Sequence, residues 1–216
     1  MDLPTVYFYL SSFYGIINKN DGENTMIKHP DGNSMTLEML SYAKLTTGAS
    51  ILELGAGDGE TVALLRAQGY TVCGIDLAEN ELVSRGDMTA LPFADSSFDA
   101  VIAECSVSVC GDAKKAFSEA YRVLKPDGIL MLSDVYFKAD DAPCLSLPCA
   151  VTLEGYKKTA EPFELIEFRD KTREWTEFII DCVWHGKDIG DCGYFKSAAK
   201  KKAGYFISVF RKRSDI

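Results

Sequence analysis

The sequence has 216 residues, of which 47% are apolar and 25% charged, a composition typical of a globular protein. Its formal net charge of −9 would repel a polyanion, which argues against nucleic acid as a partner; the basic runs 200–202 and 211–213 are interpreted as solvated surface. The length suits one α/β domain over residues 1–216, with a sizeable core.

Residues 1–35 predict a segment that caps the main domain, which we place at residues 36–216. The first ten residues are apolar and aromatic, but no basic residue precedes them and they are too short to span a membrane. We therefore expect neither a signal peptide nor a membrane anchor. Five aromatic side chains here are too apolar to remain in solvent and are expected to pack: Tyr7, Phe8, Tyr9, Phe13 and Tyr14.

The seven cysteines have neither the spacing of a zinc site nor that of a small disulfide scaffold. None belongs to a Cys-x-x-Cys pair, and Cys105/Cys110 and Cys144/Cys149 are each five positions apart. We therefore expect reduced thiols in a cytoplasmic protein, and no bound metal.

The predicted elements of the first half alternate between helix and strand. After the turn at 29–33, a helix is expected from Ser34 or Thr36 to about Lys44. Next come a buried strand at 50–54 and a glycine loop at 55–59. They are followed by a helix at 60–68 that Gly69 closes and a strand at 70–75 that ends at Asp76.

The second half continues this alternation, and a turn at 126–128 leads into one of its strands. The predicted strands are 98–103, 129–133, 163–168 and 205–210. The predicted helices are 112–124, capped by Asp112, and one with an apolar stripe at 175, 178, 179, 182 and 183, capped by Asp170 and stopped by Gly186. The pattern predicts a doubly wound, mainly parallel sheet with helices on both faces.

The run Glu-Leu-Gly-Ala-Gly-Asp-Gly-Glu-Thr at residues 53–61 joins a strand to a helix, where glycines let a ligand approach the backbone. Its third glycine comes one residue earlier than in a dinucleotide fingerprint, and no Gly-Lys-Ser/Thr follows, which excludes a P-loop. The acids Glu53, Asp58 and Glu60 disfavour a pyrophosphate. They favour a ligand with a sulfonium, an ammonium and a ribose. Asp76 is placed to accept hydrogen bonds from the two ribose hydroxyls.

These residues resemble the class I S-adenosylmethionine-dependent methyltransferases. Residues 53–59 resemble the first motif of that family, 87–93 with 97–99 the segment that holds the adenine amino group, and 122–128 the turn into the fifth strand. The runs 29–32 and 104–108 resemble a less characterised bacterial subgroup of small-molecule methyltransferases.

The resemblance implies a seven-stranded, Rossmann-like sheet with an antiparallel last strand, and S-adenosylmethionine as cofactor, released as S-adenosylhomocysteine. The cofactor-binding residues that it implies are Glu53, Gly55, Ala56, Gly57, Asp76, Leu77, Asp87, Met88 and Glu104. For Glu104 a salt-bridge role is the alternative.

The sequence departs from this family in one place. Asp76 and Asp87 are only eleven residues apart, whereas a parallel crossover needs about a dozen residues or more and usually a helix. We therefore predict a truncated helix after Asn80 and a third strand that is vestigial or absent, which would leave six strands.

The expected reaction is in-line methyl transfer to an unidentified small-molecule acceptor, for which orientation is the main requirement. The candidate catalytic residues are His29, Tyr14 and Glu104, each with a structural role as the alternative. Cys105, after the fourth strand, is interpreted as a reactive thiol or as a small buried residue. We expect a monomer or a homodimer.

Three rival functions stay open. One is a catalytically silent module that binds S-adenosylmethionine. A second is a nicotinamide-dependent oxidoreductase, against which the early third glycine and Glu60 argue. The third is a methyltransferase directed at thiols or metalloids, suggested by the cysteine count, although the sequence has no tight cysteine cluster.

Overall fold

The computed structural model describes residues 33–138, 147–184 and 203–214. Seven strands are present in these residues: β1 Ser50–Leu54, β2 Thr71–Asp76, β3 Val83–Arg85, β4 Phe98–Glu104, β5 Leu124–Tyr136, β6 Phe163–Asp170 and β7 Gly204–Lys212. They form one sheet in the order β3-β2-β1-β4-β5-β7-β6. The pairs among β1 to β5 are all parallel, and β7 is antiparallel to both β5 and β6. The predicted doubly wound sheet of seven strands with an antiparallel last strand is confirmed.

Five α-helices accompany the sheet in the described residues: α1 Asn33–Ala43, α2 Glu60–Ala67, α3 Ala113–Val123, α4 Leu153–Thr159 and α5 Thr172–Trp184. A 3₁₀ turn occupies Val107–Val109. Asp112 caps α3 as predicted, since its carboxylate accepts the Lys115 N–H at 3.0 Å. The α4 helix was not predicted, although Thr152 marks its start by accepting the Gly155 N–H.

The core consists of two apolar layers, one on each face of the sheet. In β1, Ile51 faces one layer, while Leu52 and Leu54 belong to the other. Met39 of α1 lies in the first layer and Phe117 of α3 in the second. Because both faces of the central strands are covered, β1 and β4 are buried over nearly their whole length and are mainly apolar, as expected for central parallel strands.

The connection between β2 and β3 differs from the prediction. No helix follows Asn80, and residues 77–82 cross directly to β3, which is formed but only three residues long. β3 pairs solely with the last residues of β2, from Gly74 to Asp76. Because β3 lies beside only the last three residues of β2, the chain has to go back over a short distance before β3 begins. Six residues are enough for this connection, and the usual crossover helix is unnecessary. Asn80 supports this turn by accepting the N–H groups of Leu82 and Val83.

The start of β5 also differs from the prediction. The expected turn at 126–128 is a bulge within a longer strand that begins at Leu124. Phe98 pairs with Leu124 but Ala100 pairs with Ile129, so the extra residues leave the ladder. The left-handed φ of 60° at Asp127 accommodates this excursion.

Candidate functional site

The carboxyl ends of β1, β2, β4 and β5 meet at one edge of the sheet, beside the glycine loop that joins β1 to α2. In this loop Gly55, Gly57 and Gly59 have φ values of 71°, 52° and 87°, which residues other than glycine rarely adopt. The N–H groups of Gly55 and Ala56 both donate to the Ile75 carbonyl at 2.9 Å. The loop is therefore held against the end of β2 through its own backbone.

Asp76 lies at this point, half-buried at the end of β2. Its Oδ2 accepts the Gly57 N–H at 3.0 Å, and its Oδ1 accepts the Ala78 N–H at 3.2 Å. Asn80 donates to the Gly57 carbonyl at 2.9 Å. The predicted ribose carboxylate and the glycine loop thus form one hydrogen-bonded unit, next to an exposed Leu77 side chain.

Two buried carboxylates lie beneath the loop. Glu104, 5% exposed, accepts the Thr36 hydroxyl at 3.0 and 3.1 Å and the Thr61 hydroxyl at 3.1 Å. The Ser133 hydroxyl oxygen lies 3.5 Å from Oε1 of Glu104. Within the described residues these partners are hydroxyls, so the salt-bridge interpretation of Glu104 is not supported there.

Glu53 is the second of these carboxylates and is 4% exposed. Its buried Oε2 has no hydrogen-bond partner among the described residues. Burial first, and then the nearby charges of Glu104 and Asp58, raise the pKa of Glu53 well above its usual range. A buried acidic oxygen without a partner is costly, so this pocket is suited to a positively charged group.

Asp87 and Met88 follow β3 and lie at the same edge, half-buried. The Asp87 Oδ1 accepts both the N–H and the hydroxyl of Thr89 at 2.8 Å. The Asp87 carbonyl accepts the Ala90 N–H at 3.0 Å, so residues 87–90 form one compact turn. The shortened crossover therefore retains a carboxylate at the position that the sequence indicated.

The far side of Glu104 is a chain of hydrogen bonds that the sequence did not reveal. The Tyr205 hydroxyl donates to Ser133 Oγ at 3.2 Å and lies 3.0 Å from Cys105 Sγ. Cys105 has a left-handed φ of 51° and is half-buried, so it is neither a deeply buried packing residue nor a freely exposed thiol. Thr36, Thr61, Ser133 and Tyr205 come together only in the fold; the single local signal was Thr61, in the first turn after the glycine loop.

A second polar cluster lies behind the end of β5. Asp134 is fully buried, and its carboxylate accepts the N–H groups of Ser108 and Val135 at 2.8 Å. Burial raises the pKa of Asp134 to about 6, although these hydrogen bonds oppose the shift. The Tyr156 hydroxyl nearby donates to the Val135 carbonyl at 3.1 Å.

Two of the cysteines meet in this cluster. The Cys149 N–H donates to the Ser108 carbonyl at 2.9 Å, two residues before Cys110. A hydrogen bond from the Cys110 thiol lowers the pKa of Cys149 to about 7. The sequence showed no sign of this contact, because these two residues are 39 positions apart.

Several candidate residues lie outside the described residues: His29, Tyr14, the other N-terminal aromatics, Cys144 and Gly186. Among the residues that are described, no group of three or more His, Cys, Asp or Glu side chains is arranged to hold a metal ion. In the same part of the chain, no helix combines the length and apolar character needed to cross a membrane.

Residues 52–132 match the family described as a methyltransferase domain. A malonyl-(acyl-carrier protein) O-methyltransferase of Erwinia billingiae is 36% identical over 107 residues, which cover 44% of this chain and 43% of that protein. An arsenite methyltransferase of Halobacterium salinarum is 30% identical over 183 residues, covering 70% of this chain and 46% of that protein. The chain thus spans less than half the length of these two relatives.

Solved structures share the fold across nearly the whole chain. The cyclase SpnF is superimposed with a TM-score of 0.71 at 22% identity, covering 96% of this chain and 92% of that one. The phosphoethanolamine N-methyltransferase 2 of Haemonchus contortus, in complex with S-adenosyl-L-methionine, gives 0.72 at 18% identity, covering 97% and 57%. Over residues 52–132 the chain is therefore similar to methyltransferase domains, and it shares its fold with methyltransferases of known structure. The edge described above is the region to test for a methyl donor.

Proposed function

We propose that the chain transfers a methyl group from S-adenosylmethionine to a small-molecule acceptor. The observation that carries the proposal is the buried Glu53 Oε2, which has no hydrogen-bond partner among the residues that the structure describes. It lies beside Glu104, under a glycine loop that is hydrogen-bonded to Asp76. A donor with a sulfonium and an ammonium group supplies the positive charge that this acidic pocket requires. The residues present therefore fit this donor.

Each side chain has a distinct part in holding the donor. Glu53 and Glu104 would receive the methionine end, and Asp76 the ribose hydroxyls. The backbone of residues 55–57 would line the space between them. Asp87, together with the apolar side chains of Leu77 and Met88, would bind the adenine. When bound, the sulfonium makes the methyl carbon electrophilic, so the protein has mainly to orient the acceptor and exclude water.

The acceptor is proposed to approach from the ends of β4 and β5. Cys105 and Tyr205 lie there, and their contact with Ser133 connects this side to Glu104. The strained backbone at Cys105 turns the chain immediately after the last strand residue. Strain of this kind at a strand end favours a role for Cys105 next to the acceptor.

Calorimetric titration with S-adenosylmethionine, S-adenosylhomocysteine and NADH tests the donor. We expect binding of the two adenosyl ligands without binding of NADH, and its loss in Asp76→Ala. Asp112→Ala is a matched control, because it also removes a carboxylate that accepts a backbone N–H, here the Lys115 N–H at the start of α3. Binding of NADH alone would favour the oxidoreductase alternative, and binding of no ligand would reject the proposal.

A silent binding module is the main alternative, and one structural neighbour, SpnF, is named as a cyclase rather than a methyltransferase. Release of S-adenosylhomocysteine in the presence of a panel of small acceptors distinguishes the two. The acceptor, the oligomeric state (monomer or homodimer) and the cytoplasmic location stay predictions.

A thiophilic acceptor is a second candidate, favoured by the contact of Cys110 with Cys149 and by the resemblance to an arsenite methyltransferase. Two neighbouring thiols, one of them with a lowered pKa, suit a soft trivalent centre. The test is methylation of arsenite, followed by mass spectrometry. Wild-type turnover that is lost in Cys149→Ser would support this acceptor and the role of the two thiols. Equal turnover in both proteins would reject the role of Cys149, and no turnover by the wild type would reject the acceptor.

A further inference from the structure

Residues 86–97 connect β3 to β4, carry Asp87 and contain neither a helix nor a strand. Two side chains of α3 hold this segment from outside. Glu119 Oε2 accepts the Leu91 N–H at 2.7 Å, and the Arg122 guanidinium donates to the Leu91 carbonyl at 3.1 Å and to the Phe93 carbonyl at 2.7 Å. Both polar groups of the Leu91 backbone are therefore bound by one helix.

All the N–H groups of the Arg122 guanidinium donate hydrogen bonds in this arrangement. It also donates to both oxygens of Glu119 at 2.8 Å and to Asp95 Oδ1 at 2.8 Å. These five hydrogen bonds correspond to its five N–H groups. Arg122 and Glu119 are half-buried, and the guanidinium lowers the pKa of Glu119, which keeps the pair charged.

Leu91 is buried and comes directly after the turn that fixes Asp87. That turn is closed by Thr89 and Ala90, whose N–H groups donate to the Asp87 side chain and carbonyl. Since no helix in residues 77–82 supports this corner of the sheet, the turn is braced mainly from α3.

We propose that Glu119 and Arg122 are positioning residues for the adenine end of the methyl donor. The two side chains fix Leu91, Leu91 fixes the turn, and the turn aims the second oxygen of Asp87 at the amino group of the adenine. This inference rests on the proposed function, in which Asp87 receives that amino group.

The test compares the affinity for S-adenosylhomocysteine with that for its deamino analogue, in which hydrogen replaces the 6-amino group. A hydrogen bond to a charged group predicts that the wild-type protein prefers the amino compound by roughly ten- to a hundredfold. Arg122→Gln should bring this preference close to one. Arg122→Lys should restore little of it, because a single ammonium cannot replace the planar fork.

Glu119 supplies a second pair of variants. Glu119→Gln keeps an acceptor for the Leu91 N–H and should retain most of the preference, whereas Glu119→Ala should lose it. Arg173→Gln is the matched control, since Arg173 forms an exposed ion pair with Glu177 at 2.9 Å on α5. Thermal unfolding identifies any variant that fails to fold.

The outcomes separate the inference from the proposed function. A wild-type protein that binds neither compound would reject the proposed function itself. If the wild-type protein prefers the amino compound and folded Arg122→Gln keeps the same preference, the positioning role is wrong. An equal loss of affinity for both compounds in Arg122→Gln would likewise show a purely structural ion pair.

Discussion

The Asp76 carboxylate and the Gly57 backbone are joined by a hydrogen bond of 3.0 Å between Oδ2 and N. This contact gives Asp76 two tasks, because the residue proposed to bind the ribose also fixes the loop that passes over the donor. The positive φ of Gly57 brings its N–H to this position. Removal of the carboxylate therefore affects the ligand contact and the loop together.

Asp76→Ala should weaken binding of S-adenosylhomocysteine by more than about tenfold, because it removes a charge-assisted hydrogen bond as well as the loop contact. Asp76→Asn should lie between this variant and the wild type, since its amide oxygen can still accept the Gly57 N–H. Calorimetric titration measures both effects. Equal affinity of Asp76→Ala and the wild type would contradict the assigned role.

The free energy of unfolding should decrease as the pH rises from about 4 to about 6, because of the titration of Asp134. Its folded-state pKa of about 6 lies above the unfolded value of about 3.9, so the folded protein holds the proton more tightly. The contribution of Asp134 to the free energy of unfolding is about 3 kcal/mol. It is fully present below the pKa of the unfolded state and is lost as the pH rises through the pKa of the folded state.

Urea unfolding of the wild type and Asp134→Asn at pH 4 and pH 7 measures this contribution. The stability of the wild type relative to Asp134→Asn should decrease towards pH 7. Subtraction of the two curves cancels the titration of Glu53, whose pKa is raised as well. A difference that does not vary with pH would show that Asp134 is ionised throughout this range.

Tyr205→Phe should lower the free energy of unfolding by about 1–3 kcal/mol, because it leaves the buried Ser133 hydroxyl and the Cys105 thiol without their shared partner. Chemical denaturation gives this value. If Cys105 contacts the acceptor, turnover should fall by more than the folded fraction accounts for. Phe168→Leu, which alters packing against Phe206 but not these hydrogen bonds, is the comparison.

Gly74→Ala should destabilise the fold by about 1–3 kcal/mol through overpacking. An added Cβ would lie 2.5 Å from Cγ2 of Val62 and 3.0 Å from Cβ of Ala56. The double variant with Val62→Ala opens that space and should cost less than the sum of the two single changes. Additive costs, measured by urea unfolding, would show that the contact is relieved in another way.

The sequence predicted those parts of the site that are local in the chain. Gly55, Gly57 and Asp76 follow buried strands, and strand ends can be identified from apolar runs and glycines. The hydroxyls that surround Glu104 could not be predicted in this way, because Thr36 and Thr61 are 68 and 43 positions away from it. Such contacts depend on how α1 and α2 pack on the sheet.

The fold was likewise predicted where the periodicity is regular and missed where a short segment replaces a standard one. The spacing from Asp76 to Asp87 correctly indicated an unusual crossover. It could not show that β3 survives by pairing with only the end of β2. The contact of Cys110 with Cys149 also depends on a long-range return of the chain.

The brief strand β3 has a consequence for motion. It forms one border of the sheet with three residues, and a six-residue connection links it to β2. Edge segments with few hydrogen bonds open at a lower free energy than the centre of a sheet. Backbone amides of Ser84 and Arg85 should therefore exchange with deuterium sooner than those of β1 and β4. A ligand that bridges Asp76 and Asp87 would slow that exchange, so the donor would also stabilise this edge of the sheet.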